Sequence, residues 1–343
     1  MIRGQMAEAS HISDPGVPAS DDPQLALEVL PLVSLVVPVK DEEAAIGPFL
    51  DGIGPAIATL EDTCLFEFVF VNDGSTDATE FILRTAMLDD PRIRIVNLSR
   101  NFGKDAALAA GLAEAKGACA IPIDVDLQDD PAVIPEMIHL WQQGARIVNA
   151  RRSDRSSDGL IKRWTARQFY RVFNMLAERP IPADVGDFRL LDRQVLAVLD
   201  AMGERARFNK ALFGWVGFET AEVEYTRAGR AAGRSQWSMW RLWNFALDGI
   251  FASSTRPLRI WSYVGFLTAL AGFLYAAFIL FDTILTGRDT PGYASTAIFI
   301  LVFGGLNLFA IGIVGEYVGR IYGEVRARPL YIVRSVVGGE DKT

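Results

Sequence analysis

Residues 118–130 read Ala-Cys-Ala-Ile-Pro-Ile-Asp-Val-Asp-Leu-Gln-Asp-Asp, an apolar run that stops abruptly in acids. A short apolar run bounded by polar turn residues is a buried strand, and here its carboxyl end carries Asp124 and Asp126. Upstream the same unit repeats. Residues 32–39 (LVSLVVPV), 65–71 (LFEFVFV) and 92–98 form strands; residues 42–60, 77–88 and 104–115 between them have helical character. Downstream, a helix over 132–143 follows Pro131, a strand covers 146–150, a helix 160–177, and a returning strand 219–226. Strands alternating with helices make a doubly wound, mostly parallel α/β sheet. In such sheets ligands bind beyond the carboxyl ends of the strands. Those ends carry Lys40-Asp41-Glu42, Asn72-Asp73-Gly74 and Asp124-Val125-Asp126, so the carboxylates are expected along one edge.

Two carboxylates at alternate positions of a strand-end turn can face one cation together, and Gln128 adds a neutral oxygen two residues on. Hard oxygen donors of this kind suit Mg2+ or Mn2+. Asp73 begins a turn in which Ser75 or Thr76 suits a helix N-cap, and its carboxylate also suits a hydrogen bond to a nucleotide base. The chain has no glycine-rich phosphate cradle, which argues against kinase and dehydrogenase chemistry. A net charge of -8 argues against a nucleic-acid binder. The two cysteines, Cys64 and Cys119, sit singly in apolar runs and read as small buried hydrophobes in a reducing compartment. The two histidines stand at no metal-ligand spacing, which argues against zinc.

Half of the chain is hydrophobic, and much of the excess lies near the end. Residues 258–281 hold one charge, Arg259, and residues 295–315 none. At about 1.5 Å per residue each crosses a bilayer core of about 30 Å. Arginines flank the outer ends (Arg256 and Arg259 before, Arg320, Arg326, Arg328 and Arg334 after), which places both flanks and the catalytic domain on the cytoplasmic side. Just before the first span, residues 236–253 spread Trp237, Trp240, Trp243 or Asn244, and Leu247 at helical spacing; this suits an amphipathic helix packed on the core, and the tryptophans, arginine and place before a span favour one at the membrane interface. Arg227, Arg230, Arg234, Arg241, Arg256 and Arg259 face one nearby acid, Asp248, so an anionic partner is expected there. The expected organisation is a disordered leader over 1–30, a catalytic domain over 31–232, a juxtamembrane amphipathic helix over 233–256, two spans over 257–317 and a cytoplasmic tail over 318–343. Glycines 304, 305, 312 and 315 would let another helix approach closely.

Val-Pro-Val-Lys-Asp-Glu-Glu (37–43), Val-Asn-Asp-Gly-Ser-Thr-Asp (71–77), Ser-Arg-Asn-Phe-Gly-Lys (99–104), Asp-Val-Asp-Leu-Gln-Asp (124–129) and Gly-Asp-Phe-Arg-Leu-Leu-Asp-Arg (186–193) occur in that order. Together they resemble the family-two glycosyltransferases of the GT-A fold, and within them the polyprenyl-phosphate glycosyltransferases, over about residues 32–335. The two spans make the chain most similar to the bacterial undecaprenyl-phosphate glucosyltransferases. The resemblance implies that Pro38, Lys40 and Glu42 hold the nucleotide and that Asp73 binds its base. It implies that Asp124 and Asp126 hold the metal and the donor phosphates, with Gln128 as a further ligand and Arg151 near the phosphates. Asp187 falls near the acceptor as base or orienting group. Arg230, Arg234 and Gln236, where relatives carry lysine, fall on an acceptor phosphate loop.

The reaction so implied is inverting transfer of a sugar from a nucleotide sugar, UDP-glucose first, to a polyprenyl phosphate at a bacterial inner membrane, by a homo-oligomer (tetramer or dimer). Other UDP-sugars and GDP-mannose stay open as donors. A processive polysaccharide synthase is the nearest alternative. Against it, Gln236-Trp237-Ser238-Met239-Trp240-Arg241 has the wrong spacing for that group's Gln-x-x-Arg-Trp, and two spans are too few for a channel. A non-catalytic membrane partner is the alternative of another class, opposed by the intact Asp124, Asp126, Gln128 and Asp187.

Overall fold

The computed structural model describes residues 30–152, 174–175, 185–203, 209–225, 254–286 and 292–339. The leader, most of the helix expected over 160–177, and the amphipathic helix with Arg230, Arg234 and Gln236 lie outside them. The described elements run β1 (Leu32–Val39), α1 (Ile46–Ala58), β2 (Leu65–Asn72), α2 (Thr79–Asp89), β3 (Ile93–Leu98), α3 (Lys104–Glu114), β4 (Cys119–Pro122), α4 (Ile134–Gln142) and β5 (Ile147–Arg152). They continue with β6 (Val185–Asp192), α5 (Arg193–Ala201), α6 (Asn209–Trp215), β7 (Thr220–Tyr225), α7 (Arg256–Thr286), α8 (Tyr293–Val325) and β8 (Val333–Val337).

The strands form an 8-stranded sheet in the order β7-β5-β6-β4-β1-β2-β3-β8. β1, β2, β3 and β4 are mutually parallel, and β7 is parallel to β5. β6 runs antiparallel between β4 and β5, and β8 runs antiparallel to β3. The mostly parallel, doubly wound sheet is as the sequence implies; the two antiparallel strands are additions to it. The chain winds outward from β1 through β2 to β3, then crosses to the other side of β1 with β4. That reversal opens a crevice at the carboxyl ends of β1 and β4, the place where doubly wound sheets bind ligands.

Side chains alternate between the two faces of β1. Val33, Leu35, Val37 and Val39 pack with Ile46, Phe49 and Ile53 of α1 and Ile134 and Met137 of α4. Val36 faces the other way, onto Ala107, Leu108 and Ala110 of α3. α3 lies so close to the sheet that a Cβ on Gly111 would run into Val36 Cγ1 and stand 2.8 Å from Val71 Cγ2. The small residues of α3 set this approach, and with it the height of Lys104 above the sheet edge. Cys64 and Cys119 are free and buried.

α7 and α8 form an antiparallel pair. Trp261 meets Phe309 at 4.8 Å between ring centroids, and Tyr275 meets Phe299 at 5.4 Å. Residues Leu258–Leu285 and Ile298–Val325 are long and apolar enough to cross a membrane, with mean hydropathies of 2.2 and 2.4. A core helix of a soluble protein would hide such a surface; these helices leave Phe266, Phe273, Phe278, Phe281 and Phe309 exposed. They associate the protein with a membrane. After α8 the chain returns to the sheet, where Val333 pairs with Leu98 at the carboxyl end of β3.

Candidate active site

The loops after β1 and β2 are laced together. The Thr76 amide donates to Asp41 Oδ1 at 2.7 Å, the Asp41 amide to Ser75 Oγ at 3.0 Å, and the Glu42 amide to Thr79 Oγ1 at 2.9 Å. Asp77 accepts from the amides of Glu43 and Thr79 just before α2; the cap position itself is Ala78, and Ser75 and Thr76, expected to cap, serve the neighbouring loop instead. Asp41 holds a left-handed φ of 54°, uncommon for a residue with a side chain. The ammonium of Lys40, 2.7 Å away, holds its carboxyl down at about 2. Lys40 is thus engaged at the loop surface, while Pro38 is half-buried within β1.

Asp73 is buried, and both of its oxygens are spent on backbone. Oδ1 accepts the Phe102 amide at 2.7 Å and Oδ2 the Gly103 amide at 2.9 Å. Gly74, at a φ of 67°, passes so near that a Cβ would lie 2.6 Å from the Arg100 carbonyl carbon. Asp73 therefore shapes the loop that enters α3, and so places Lys104.

Lys104 is the centre of the arrangement. Its Nζ lies 2.6 Å from Asp124 Oδ1, 2.7 Å from Oδ2 and 3.4 Å from Asp187 Oδ2. Burial lowers the pKa of this ammonium, but the charges of Asp124 and Asp187 outweigh it and raise it. β4 pairs antiparallel with β6, Cys119 with Asp192 and Ala120 with Leu191, which brings the carboxyl end of β4 near the start of β6, and Lys104 bridges Asp124 and Asp187 there. Two carboxylates held close together repel, and the shared lysine offsets this. Sequence reasoning singled out both aspartates but gave Lys104 no role, since its link to them is a tertiary one.

Asp126 accepts the Gln128 amide at 3.2 Å and is held by the side-chain amide of Gln128, which is buried. Leu127 between them has a φ of 51°, which folds the turn back on itself. The Tyr225 hydroxyl donates to buried Asp129 at 2.6 Å, tying this turn to the end of β7. Glu42 feels the whole cluster: burial raises its carboxyl pKa, and the charges of Asp126, Asp124, Asp77 and Asp41 push the same way. Asp124, Asp126 and Glu42 thus share one edge, as expected from the sequence. Arg151 reaches the same edge at the end of β5, 3.5 Å from Glu222 of β7. Beside Asp187, buried Arg189 lies over the Phe213 ring at 4.2 Å and binds the Gly186 carbonyl; burial lowers its guanidinium to about 10 against the pull of Asp187. Among the described residues no set of three or more His, Cys, Asp or Glu side chains forms a ready cage for a metal.

Comparison with known proteins extends this reading. The Glycosyl transferase family 2 model matches residues 34–199, and the GtrB C-terminal hairpin model matches residues 256–321. The SfII prophage-derived bactoprenol glucosyl transferase of Shigella flexneri is 47% identical over 88% of this chain and 97% of its own length. The uncharacterized glycosyltransferase sll0501 of Synechocystis is 44% identical over 90% of this chain and 96% of its own length. Among solved structures, the glucosyl-3-phosphoglycerate synthase of Mycobacterium tuberculosis in complex with Mn2+, uridine diphosphate and glucosyl-3-phosphoglycerate aligns over 64% of this chain and 78% of that one, with 21% identity and a TM-score of 0.41. With a catalytic domain and an apolar hairpin both matched, and relatives alike over nearly the whole length, the chain belongs to the family 2 glycosyltransferases of the GT-A fold, beside the bactoprenol glucosyl transferases.

Proposed function

We propose that the protein transfers glucose from UDP-glucose to undecaprenyl phosphate, or a similar polyprenyl phosphate, with inversion at the anomeric carbon. The observation that carries this reading is a shared edge. The carboxyl ends of β1, β2 and β4 hold the acidic cluster, and the chain coming back from the apolar hairpin joins the sheet at that same edge, where Val333 pairs with Leu98. A lipid phosphate at a membrane surface and a soluble nucleotide sugar can meet there. The relatives named bactoprenol glucosyl transferases supply the sugar and the lipid.

A phosphate oxygen of the lipid attacks the anomeric carbon as the bond from that carbon to the diphosphate oxygen breaks, and the nucleoside diphosphate leaves with the bonding pair. The acceptor is already anionic at neutral pH, so positioning matters more than a base. Asp187 orients the acceptor or takes its residual proton. Lys40, Glu42 and Pro38 line the nucleotide end, with Asp73 near the base. Arg151 screens the phosphates, and Arg230, Arg234 and Gln236 hold the acceptor phosphate.

Asp124, Asp126 and the Gln128 amide would hold Mg2+ or Mn2+. The donor types fit: the hard carboxylate oxygens of Asp124 and Asp126 lie near Glu42, whose carboxyl their charges push up, and Gln128, which now turns its NH2 to Asp126, would present its oxygen instead. Mg2+ is usually held by one or two carboxylates together with substrate phosphates, a demand that Asp124 and Asp126 would meet. Such an ion would stabilise the charge gathering on the diphosphate. A catalytic domain over 31–232 lies on the cytoplasmic side of a bacterial inner membrane, followed by a juxtamembrane helix over 233–256 and two spans over 257–317; the expected cytoplasmic tail over 318–343 is corrected, because α8 runs on to Val325 and Val333–Val337 join the catalytic sheet as β8. Cβ positions on Gly304, Gly305, Gly312 and Gly315 have no heavy atom within 4 Å, leaving room for helices of other copies in a dimer or tetramer.

The test is the full chain in detergent with undecaprenyl phosphate, Mg2+ or Mn2+, and a panel of nucleotide sugars, read by mass spectrometry of the lipid. Glucosyl lipid from UDP-glucose, lost with a chelator, is the expected result. Product from another donor would replace the sugar assignment, and no product from folded protein would reject the reaction.

A further inference from the structure

Lys104 sits at an odd place for a lysine. It is the first residue of α3, where the partial positive charge of a helix N-terminus disfavours cations. Local helix energetics do not explain it. Its ammonium instead spans 2.6 Å to Asp124 and 3.4 Å to Asp187, with both oxygens of Asp124 engaged. The side chain is also half-exposed, at 48%, so it is free to swing on its four-carbon stem. Asp124 is the carboxylate that the proposed metal would use, and an ammonium on both of its oxygens competes with any second cation.

We propose that Lys104 is a positioning residue that acts as a resident counter-cation. It holds Asp124 and Asp187 together in the donor-free protein and yields Asp124 when a divalent ion arrives with a nucleoside diphosphate. This rests on the metal reading given above. Without donor, the lysine keeps the acidic edge neutralised and the free ion weakly bound. With donor, the diphosphate would bring new negative charge, Lys104 would release Asp124 to hold the ion, and the ammonium would stay at Asp187 or turn to the diphosphate. Free metal and donor therefore bind cooperatively, and the lysine sets the size of that cooperativity.

The test is Mn2+ retained by the full detergent-solubilised chain, measured by electron paramagnetic resonance with and without UDP. Lys104→Met removes the competing charge, and in the absence of UDP it is expected to bind Mn2+ about tenfold more tightly than wild type, a conservative size for a close charge pair at a partly exposed site. Lys104→Arg keeps the charge and is expected to return the affinity towards wild type. Asp187→Asn leaves the ammonium to Asp124 alone and is expected to bind Mn2+ more weakly without UDP; this variant decides the matter if Lys104→Met does not fold. Unchanged or weaker Mn2+ binding by folded Lys104→Met, or unchanged or tighter binding by Asp187→Asn, would overturn the proposal while leaving the metal reading intact. No Mn2+ retained by wild type even with UDP would sink the metal reading and this proposal with it.

Discussion

Asp73 gives the sharpest prediction about how the site is built. Its carboxylate accepts the amides of Phe102 and Gly103 at 2.7 and 2.9 Å from a buried position. Asp73→Asn presents one carbonyl oxygen to two N–H donors and turns its NH2 towards the other amide. One charge-assisted bond is lost, a contribution of about 1.5–3 kcal/mol, and the survivor becomes a neutral bond of about half that strength. The sum is about 2.3–4.5 kcal/mol, concentrated on residues 100–104. At about 1.4 kcal/mol per factor of ten, the open population of that loop rises about 40- to 1,600-fold. Hydrogen exchange with mass spectrometry on the detergent-solubilised chain reads this directly, because local opening sets the exchange rate of each amide. Peptides covering β3 and β1 serve as controls and are expected to keep their protection. Lys104 begins the helix this loop enters, so transfer should fall alongside. Exchange over 100–104 within threefold of wild type would refute the reasoning, since the carboxylate would then not be what holds the loop.

Asp126→Ala should abolish glycolipid formation while leaving the circular dichroism spectrum unchanged; an active, folded variant would remove Asp126 from the metal site. Gly111→Ala forces a methyl against Val36 and Val71 and should cost about 1–3 kcal/mol, seen as a lower unfolding temperature, with no loss if α3 can simply lift off the sheet. Glu80 lies 2.7 Å from Arg334 of β8. Burial raises its carboxyl, but Arg84 and Arg334 pull it lower overall, beneath its ordinary 4.5. A depressed acid stabilises the folded state above the unfolded pKa and loses that contribution as pH falls through the folded value. Arg334→Ala should therefore cost under about 1 kcal/mol at pH 7, because the pair is largely exposed, and nothing once Glu80 is protonated. Equal loss at both pH values would show that Arg334 acts by packing rather than charge.

Much of the fold was legible because the parallel strands announce themselves. β1 and β2 are buried on both faces, so their sequences are nearly continuous apolar runs that end sharply at Lys40 and Asn72. β6 was harder to read as a strand. Val185-Gly186-Asp187-Phe188-Arg189 interrupts its apolar residues with an acid and a buried arginine that serve the site edge, and the segment carries neither alternation nor a continuous run. β8 was hidden because Val333-Arg334-Ser335-Val336-Val337 is a short edge strand whose place is fixed only by its partner β3. The acidic edge itself could be foreseen from the strand-end turns. The pairing of Asp124 with Asp187 through Lys104 could not, because it depends on the antiparallel register of β6 against β4, a long-range choice that no local pattern encodes. Likewise Asp73 showed its acidity in sequence, while its grip on Phe102 and Gly103 belongs to the packed molecule.

β8 also sets an order of assembly. A ribosome makes the other seven strands first, then the apolar hairpin, and only then the segment that closes the sheet. Until residues 333–337 emerge, β3 keeps an open edge of unpaired backbone groups that can capture another chain. Closure needs both ends of the hairpin on one side of the bilayer, because β8 must come back to the same sheet the chain left. A hairpin inserted the wrong way, or halted after its first crossing, would leave the sheet unfinished. Completion of the sheet thus depends on the hairpin, and a nascent chain whose hairpin goes astray keeps an exposed strand edge on β3.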